Sequence, residues 1–175
     1  MMNRNIVRYG VPVALVALCA VARLLPHLPN FTPIAAAALF AAYFTGRRTV
    51  GALVALGAML VSDAFVGSYS TPMMITVYGA LALPALVGPA LRGKASALTV
   101  GASAIGAGLG FFALTNLAVW AFSGMYPQTI EGLGACYLSA LPFLKYTLAG
   151  NVVWAGAFFG LHALATRQLP ALQRA

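Results

Sequence analysis

Side chains able to do chemistry are scarce in this chain, and most of them gather in the segments that separate its apolar runs. Arg23, His27, Asn30, Asp63, Tyr69 and Tyr78 form one part of this set. Asn116, Trp120, Tyr126, Gln128, Glu131, Cys136, Tyr137 and Lys145 form the other. Cations, phenols, amides and aromatic rings converging at one end of an apolar body are the usual lining of a ligand site. The competing reading is an interfacial belt of aromatics with snorkelling cations. The opposite ends of the apolar runs carry no equal set, which favours a site.

Arg23 and Lys145 lie within apolar runs, where desolvating a charge is costly and an ionisable group is a functional candidate by default. Asp63 is the natural partner of either, and such a pair is equally well explained as structural. His27, flanked by Pro26 and Pro29 in a stiff loop, offers a neutral imidazole to a metal or a ring nitrogen to its own loop. Cys136 is expected in an accessible outer loop and Cys19 in apolar surroundings, where a thiol is inert. The two are too far apart in expected depth to pair, and no CxxC spacing exists. Acid–base catalysis finds little support: the acids are Asp63 and Glu131 alone, with no serine–histidine arrangement beside them.

These groups must be positioned by membrane helices. Of the 175 residues, 62% are hydrophobic and 7% charged, far below the roughly 25% charged residues of a soluble domain. The +8 net charge is not a nucleic-acid footprint, because the basic residues are dealt to separate loops and do not share a face. About 20 apolar residues cross the hydrocarbon, and the runs are Val7 to Leu25, Thr32 to Thr45, Val50 to Phe65, Met73 to Leu91, Ser96 to Phe122 and Ala140 to Thr166. The expected fold is therefore an all-α integral membrane protein, a single domain over residues 1–175 with six transmembrane helices.

Charge sets the orientation. Arg4 and Arg8, Arg47 and Arg48, Arg92 and Lys94, and Arg167 and Arg174 fall before, between and after alternate spans. Lys and Arg accumulate on the cytoplasmic side. Both termini are thus expected in the cytoplasm, with Pro26 to Phe31, Gly67 to Pro72 and Ser123 to Ser139 outside; an odd number of spans would break the alternation. The first run is not followed by a small-residue cleavage site, since it continues Arg23-Leu24-Leu25-Pro26-His27, and is expected to be retained. Small residues such as Ala35 to Ala38 and the Gly101 to Gly110 stretch suit close helix packing. Pro84 and Pro89 are expected to bend or break the fourth helix near the cytoplasmic side.

Several strings add a likeness. Arg23 to Pro33 (RLLPHLPNFTP), Ser62-Asp63, Thr76-Val77-Tyr78-Gly79, Thr115 to Trp120 (TNLAVW), Tyr126-Pro127-Gln128-Thr129, Gly132-Leu133 and Cys136-Tyr137 resemble the BtuM family of bacterial cobalamin transporters. That family is related to the S-components of energy-coupling-factor (ECF) vitamin transporters, and the likeness covers most of the chain. It implies an S-component-like bundle in the bacterial inner membrane that binds and takes up cobalamin. The expected ligand-contacting residues are Arg23, His27, Asp63, Tyr78, Ala80, Tyr126, Tyr137 and Lys145. Some members ligate cobalt through a cysteine thiolate and strip cyanide from cyanocobalamin. This chain has Ala80 at the position the family pattern assigns to that cysteine, so the resemblance implies loss of decyanation, with His27 a weak substitute ligand for cobalt. The lipid bilayer and cobalamin are the partners implied, and recruitment of an ATPase is left open. The alternative is a membrane enzyme or scaffold acting on another periplasmic or lipid-borne substrate.

Overall fold

Proline, glycine and a few hydroxyls punctuate the apolar sequence into helices. In the computed structural model, which describes residues 4–67 and 69–168, these are α1 (Arg4–Leu24), α2 (Ile34–Thr45), α3 (Arg48–Val66), α4 (Thr71–Ala82), α5 (Ala97–Phe122) and α6 (Ile130–Gln168). There is no strand among the described residues. Arg174 lies outside them. The helix α1 stops before Pro26, as the residue preceding a proline resists the helical conformation. At the end of α2, Gly46 takes φ of 70° and returns its N–H to Tyr43 O, a left-handed cap that glycine adopts without strain. Ser96 and Thr99 cap α5 reciprocally, the Thr99 N–H donating to Ser96 Oγ at 3.2 Å and the Ser96 N–H to Thr99 Oγ1 at 2.9 Å.

The fourth run breaks as its prolines require. After Ala82 it continues as two 3-10 segments, Leu83–Leu86 and Gly88–Leu91, because Pro84 and Pro89 lack the N–H that an α-helix would use. The sixth helix departs from the sequence expectation. It begins at Ile130, ten positions before the expected Ala140, so Cys136 sits in a helix and is 2% exposed. The expectation of an outer loop through Ser139 is therefore corrected. The early start is stabilised by Thr129, whose Oγ1 accepts the Gly132 N–H at 3.1 Å, and by Glu131 in the first turn, where an acid complements the helix dipole.

Helix α2 is the hub. Every residue from Ile34 to Ala42 is buried, so this short segment faces protein on all sides. Its neighbours come close because they present glycine. A Cβ at Gly51 of α3 would fall 2.4 Å from Ala38 O, and one at Gly88 would fall 2.6 Å from Leu39 O. Helices α1 and α3 pack on each other to one side, while α4, α5 and α6 close the other. The core joins Leu15 and Cys19 to Leu39, Met59 and Phe158. His162 packs half-buried against the rings of Phe40, Tyr43 and Phe44 at the edge of this core.

Five helical segments are long and apolar enough to cross a membrane: Val7–Leu24, Arg48–Val66, Thr71–Leu91, Ala97–Phe122 and Ile130–Arg167. Their outward faces carry exposed Val13, Leu53, Ile75, Leu98, Leu109 and Leu161, a band that lipid covers and water would not. The chain is a multi-pass α-helical membrane protein. The basic connections meet at one end of it, where Arg92 Nη1 donates to Phe44 O at 3.4 Å beside the Gly46 turn.

Candidate ligand cavity

At the other end of the bundle, three helix ends are tied by one polar cluster. Arg23 is in the last turn of α1, Ser62 and Asp63 are near the end of α3, and Tyr78 is on α4. The Arg23 guanidinium donates through Nη1 to Ser62 Oγ at 2.5 Å and pairs through the same nitrogen with Asp63 Oδ1. Tyr78 OH donates to the other carboxylate oxygen, Oδ2, at 2.7 Å. Ser62 is free to accept because its own hydroxyl proton goes to Ala58 O, at 2.8 Å. The paired side chains are only 17% and 7% exposed, so each charge depends on the other for the solvation it has lost. In the loop above, burial and the nearby Asp63 carboxylate push the Tyr69 phenol up, with Arg23 opposing.

Below the pair lies a cavity of about 160 Å³. Its polar wall is Arg23, His27, Asn30 and Thr32 from the end of α1 and the following loop, facing Thr147 and Asn151 of α6. Ile34, Met59, Val77, Leu81 and Phe111 make the apolar remainder. Thr147 and Asn151 are each 4% exposed and stand one turn apart on the same face of α6. Asn151 Nδ2 donates to Ala104 O at 3.3 Å and Thr147 Oγ1 to Phe143 O at 3.1 Å. The amide oxygen of Asn151 and the hydroxyl lone pairs of Thr147 remain as acceptors for a guest.

The loop between α1 and α2 roofs this space. His27 Nδ1 lies 2.7 Å from Leu25 O, and the Phe31 N–H donates to Leu28 O at 3.0 Å. Asn30 turns the chain with φ of 60°, a conformation asparagine tolerates better than most residues. Phe31 then seats on α6 at Gly150, where a Cβ would come within 3.0 Å of Phe31 Cα. Glycine at 150 is what lets the roof close down on α6.

The expected site residues divide. Arg23 and His27 line the cavity, and Asp63 and Tyr78 hold Arg23 in place. Ala80 does not line it; it is 2% exposed and borders a separate crevice of about 220 Å³ with Leu39, Ser103 and Gly106. Tyr126 lies half-buried in the loop before α6. That loop is pinned by Trp120, whose Nε1 donates to Pro127 O at 2.9 Å and whose carbonyl accepts from Gln128. Tyr137 clamps α6 to α5, its OH donating to Ala113 O at 2.6 Å. Lys145 is exposed, with Nζ 4.8 Å from the centre of the Tyr146 ring. Thr147, Asn151, Thr32 and Phe111 escape the sequence reading. The first two carry a usable signal, a pair of polar residues at i and i+4 inside an apolar helix.

No group of three or more His, Cys, Asp and Glu side chains able to hold a metal occurs among the described residues. The Cys136 thiol is engaged, donating to Asn116 O at 3.4 Å. What the cavity offers a guest is hydrogen bonding on one wall and apolar contact on the other.

A polar-walled cavity at one end of a multi-pass helical bundle defines the class: an α-helical membrane protein with an internal pocket. The chain belongs to DUF6580, a family of unknown function whose model matches residues 3–172. No curated protein and no solved structure matches it.

Proposed function

We propose that this protein captures a small solute on the outer side of the bacterial inner membrane and delivers it inward, in the manner of the S-component of a vitamin transporter. The observation that carries this reading is the placement of a polar-walled cavity under a loop roof, at the end of the bundle opposite the basic connections. Lys and Arg mark the cytoplasmic side, so the cavity opens outward and both termini lie inside. Six segments then cross the bilayer. The 12-residue α2, about 18 Å long, is too short to span on its own, and its burial on every side spares it contact with lipid.

Three of the strings that carry the BtuM resemblance, 23–33, 62–63 and 76–79, converge on this cavity or on the cluster that supports it. This supports cobalamin as the solute. At about 160 Å³ the cavity is smaller than the roughly 300 Å³ of a drug-sized pocket, and a corrinoid is larger still. Cobalamin binding therefore requires the 25–33 loop to lift off Gly150 and expose the whole mouth. A monocyclic vitamin fits beneath the closed roof.

Equilibrium dialysis of detergent-purified protein against cyanocobalamin and against pyridoxine and nicotinamide, both single-ring solutes, separates the two. Saturable cyanocobalamin binding, weakened when Phe31 is cross-linked to α6, supports the corrinoid. Saturable binding of a monocycle alone supports the smaller solute. Binding of none refutes both the corrinoid and the single-ring vitamin as the solute. Ala80→Cys adds a further discriminator. A sulfur-ligated cobalt spectrum in that variant would put the corrin at the α4–α5 crevice, which Ala80 borders, and not under the roof.

A further inference from the structure

We propose that the furrow between α1 and α3 at the basic end of the bundle binds an anionic glycerophospholipid. Its phosphate sits between Arg8 and Arg47, and one acyl chain lies along Val13, Val16 and Leu53. The furrow has a volume of about 350 Å³. Its two ends differ in chemistry. Arg8, Tyr9, Thr45 and Arg47 gather at the mouth, and the remainder is Pro12, Val13, Val16, Val50, Leu53 and Val54. Val13 and Leu53 are 69% and 64% exposed, so the apolar wall is bare within the protein.

Charge identifies the occupant. The chain contains only two acidic residues, Asp63 and Glu131. Asp63 is committed to Arg23 at the opposite end, and Glu131 begins α6 at that same far end. No acidic side chain is left to neutralise Arg8 and Arg47. Their counter-charge must come from outside, and in a membrane leaflet the anion that also brings an apolar tail is an anionic phospholipid. Guanidinium groups bind phosphate oxygens through paired, directional N–H donors, with the Tyr9 hydroxyl beside them; the Thr45 hydroxyl proton is already given to Ala41 O at 2.7 Å. The larger groove between α5 and α6, about 550 Å³, has no Lys or Arg in its lining and offers a phosphate no permanent cation.

The test is native mass spectrometry of the detergent-purified protein with phosphatidylglycerol or phosphatidylcholine of identical acyl chains. Phosphatidylglycerol adducts should survive at activation energies that strip phosphatidylcholine. Arg8→Gln or Arg47→Gln should each weaken the phosphatidylglycerol affinity about fivefold, and the double variant about thirtyfold, from the worth of one basic side chain at an anionic surface. Arg92→Gln/Lys94→Gln, which removes two cations of the same end outside the furrow, should leave the adducts intact. Leu53→Trp, which fills the furrow without changing charge, should weaken them. Equal retention of the two lipids would overturn the proposal, as would phosphatidylglycerol binding that is unchanged by Arg8→Gln, Arg47→Gln and Leu53→Trp, or equally lost with Arg92→Gln/Lys94→Gln.

Discussion

Replacing Asp63 with Asn removes a charge while nearly keeping its shape, and leaves Arg23 ionised with only neutral partners. Exposed ion pairs contribute about 0–1 kcal/mol, whereas removing one member of a buried pair costs about 3–5 kcal/mol. With side-chain exposures of 17% and 7%, the Arg23–Asp63 pair lies near the buried limit, and the lower end of that range, about 3 kcal/mol, is expected. For a chain of this size, 1 kcal/mol moves the melting temperature by about 2–4 °C, so Asp63→Asn should melt about 6–12 °C lower. The protein carries its own reporter. Cys19 and Cys136 are free thiols 0% and 2% exposed, so a thiol-reactive fluorogenic dye responds only when the bundle opens. Removing both charges together, Arg23→Met with Asp63→Leu, leaves nothing charged and unpaired and should recover most of the loss. The cycle formed by this double variant with the single variants Arg23→Met and Asp63→Leu should then show a coupling of about 2–3 kcal/mol. A shift under about 2 °C in Asp63→Asn, or a double variant that melts at the sum of the two single losses, would refute the view that each charge is solvated by the other.

Close approach to α2 makes a second prediction. Gly51→Ala forces a Cβ to within 2.4 Å of Ala38 O and should cost about 3 kcal/mol or abolish folding, while Gly106→Ala, with nothing within 4 Å, should melt within about 2 °C of the parent by the same dye assay. Asn151→Leu takes an acceptor from the cavity wall and should weaken solute binding about tenfold, the worth of one hydrogen bond left unmade, with dialysis as the readout; unchanged affinity would move the solute elsewhere. For topology, Ser70→Cys should react with a membrane-impermeant maleimide in intact spheroplasts and Lys94→Cys only after lysis, the buried native thiols being silent in both. The reverse pattern would invert the orientation.

How much of this could be read from the residues depends on which coordinate they report. Hydropathy and charge locate a residue along the bundle axis, and there the reading holds except at the start of α6. The break at Pro84 and Pro89 and the basic connections at Arg47 and Arg92 stand where the pattern puts them. The pairing of Asp63 with a cation follows from the same axis, because two charges at one depth in an apolar run are costly apart. Neither quantity reports azimuth around the bundle. Lys145 and Thr147 lie within about 3 Å of each other in depth on α6, with Asn151 one turn further along. Lys145 turns outward onto Tyr146, while the two neutral residues face the cavity. Tyr137 serves the α5–α6 junction, and Tyr126 lies half-buried in the loop between those helices.

The same distinction explains α2 and the start of α6. An apolar run reads alike whether lipid or protein covers it, so the burial of Ile34 to Ala42 on all sides was visible only indirectly, in the alanines that permit it. The extra turns of α6 ahead of Ala140 are written in capping chemistry, Thr129 and Glu131, and not in hydropathy. Azimuth becomes legible where small polar residues recur at helical spacing inside an apolar run, because a buried amide or hydroxyl must face a partner. In a membrane helix such a pair is therefore better evidence of a cavity wall than a lysine near the boundary, whose long stem lets its charge escape to water.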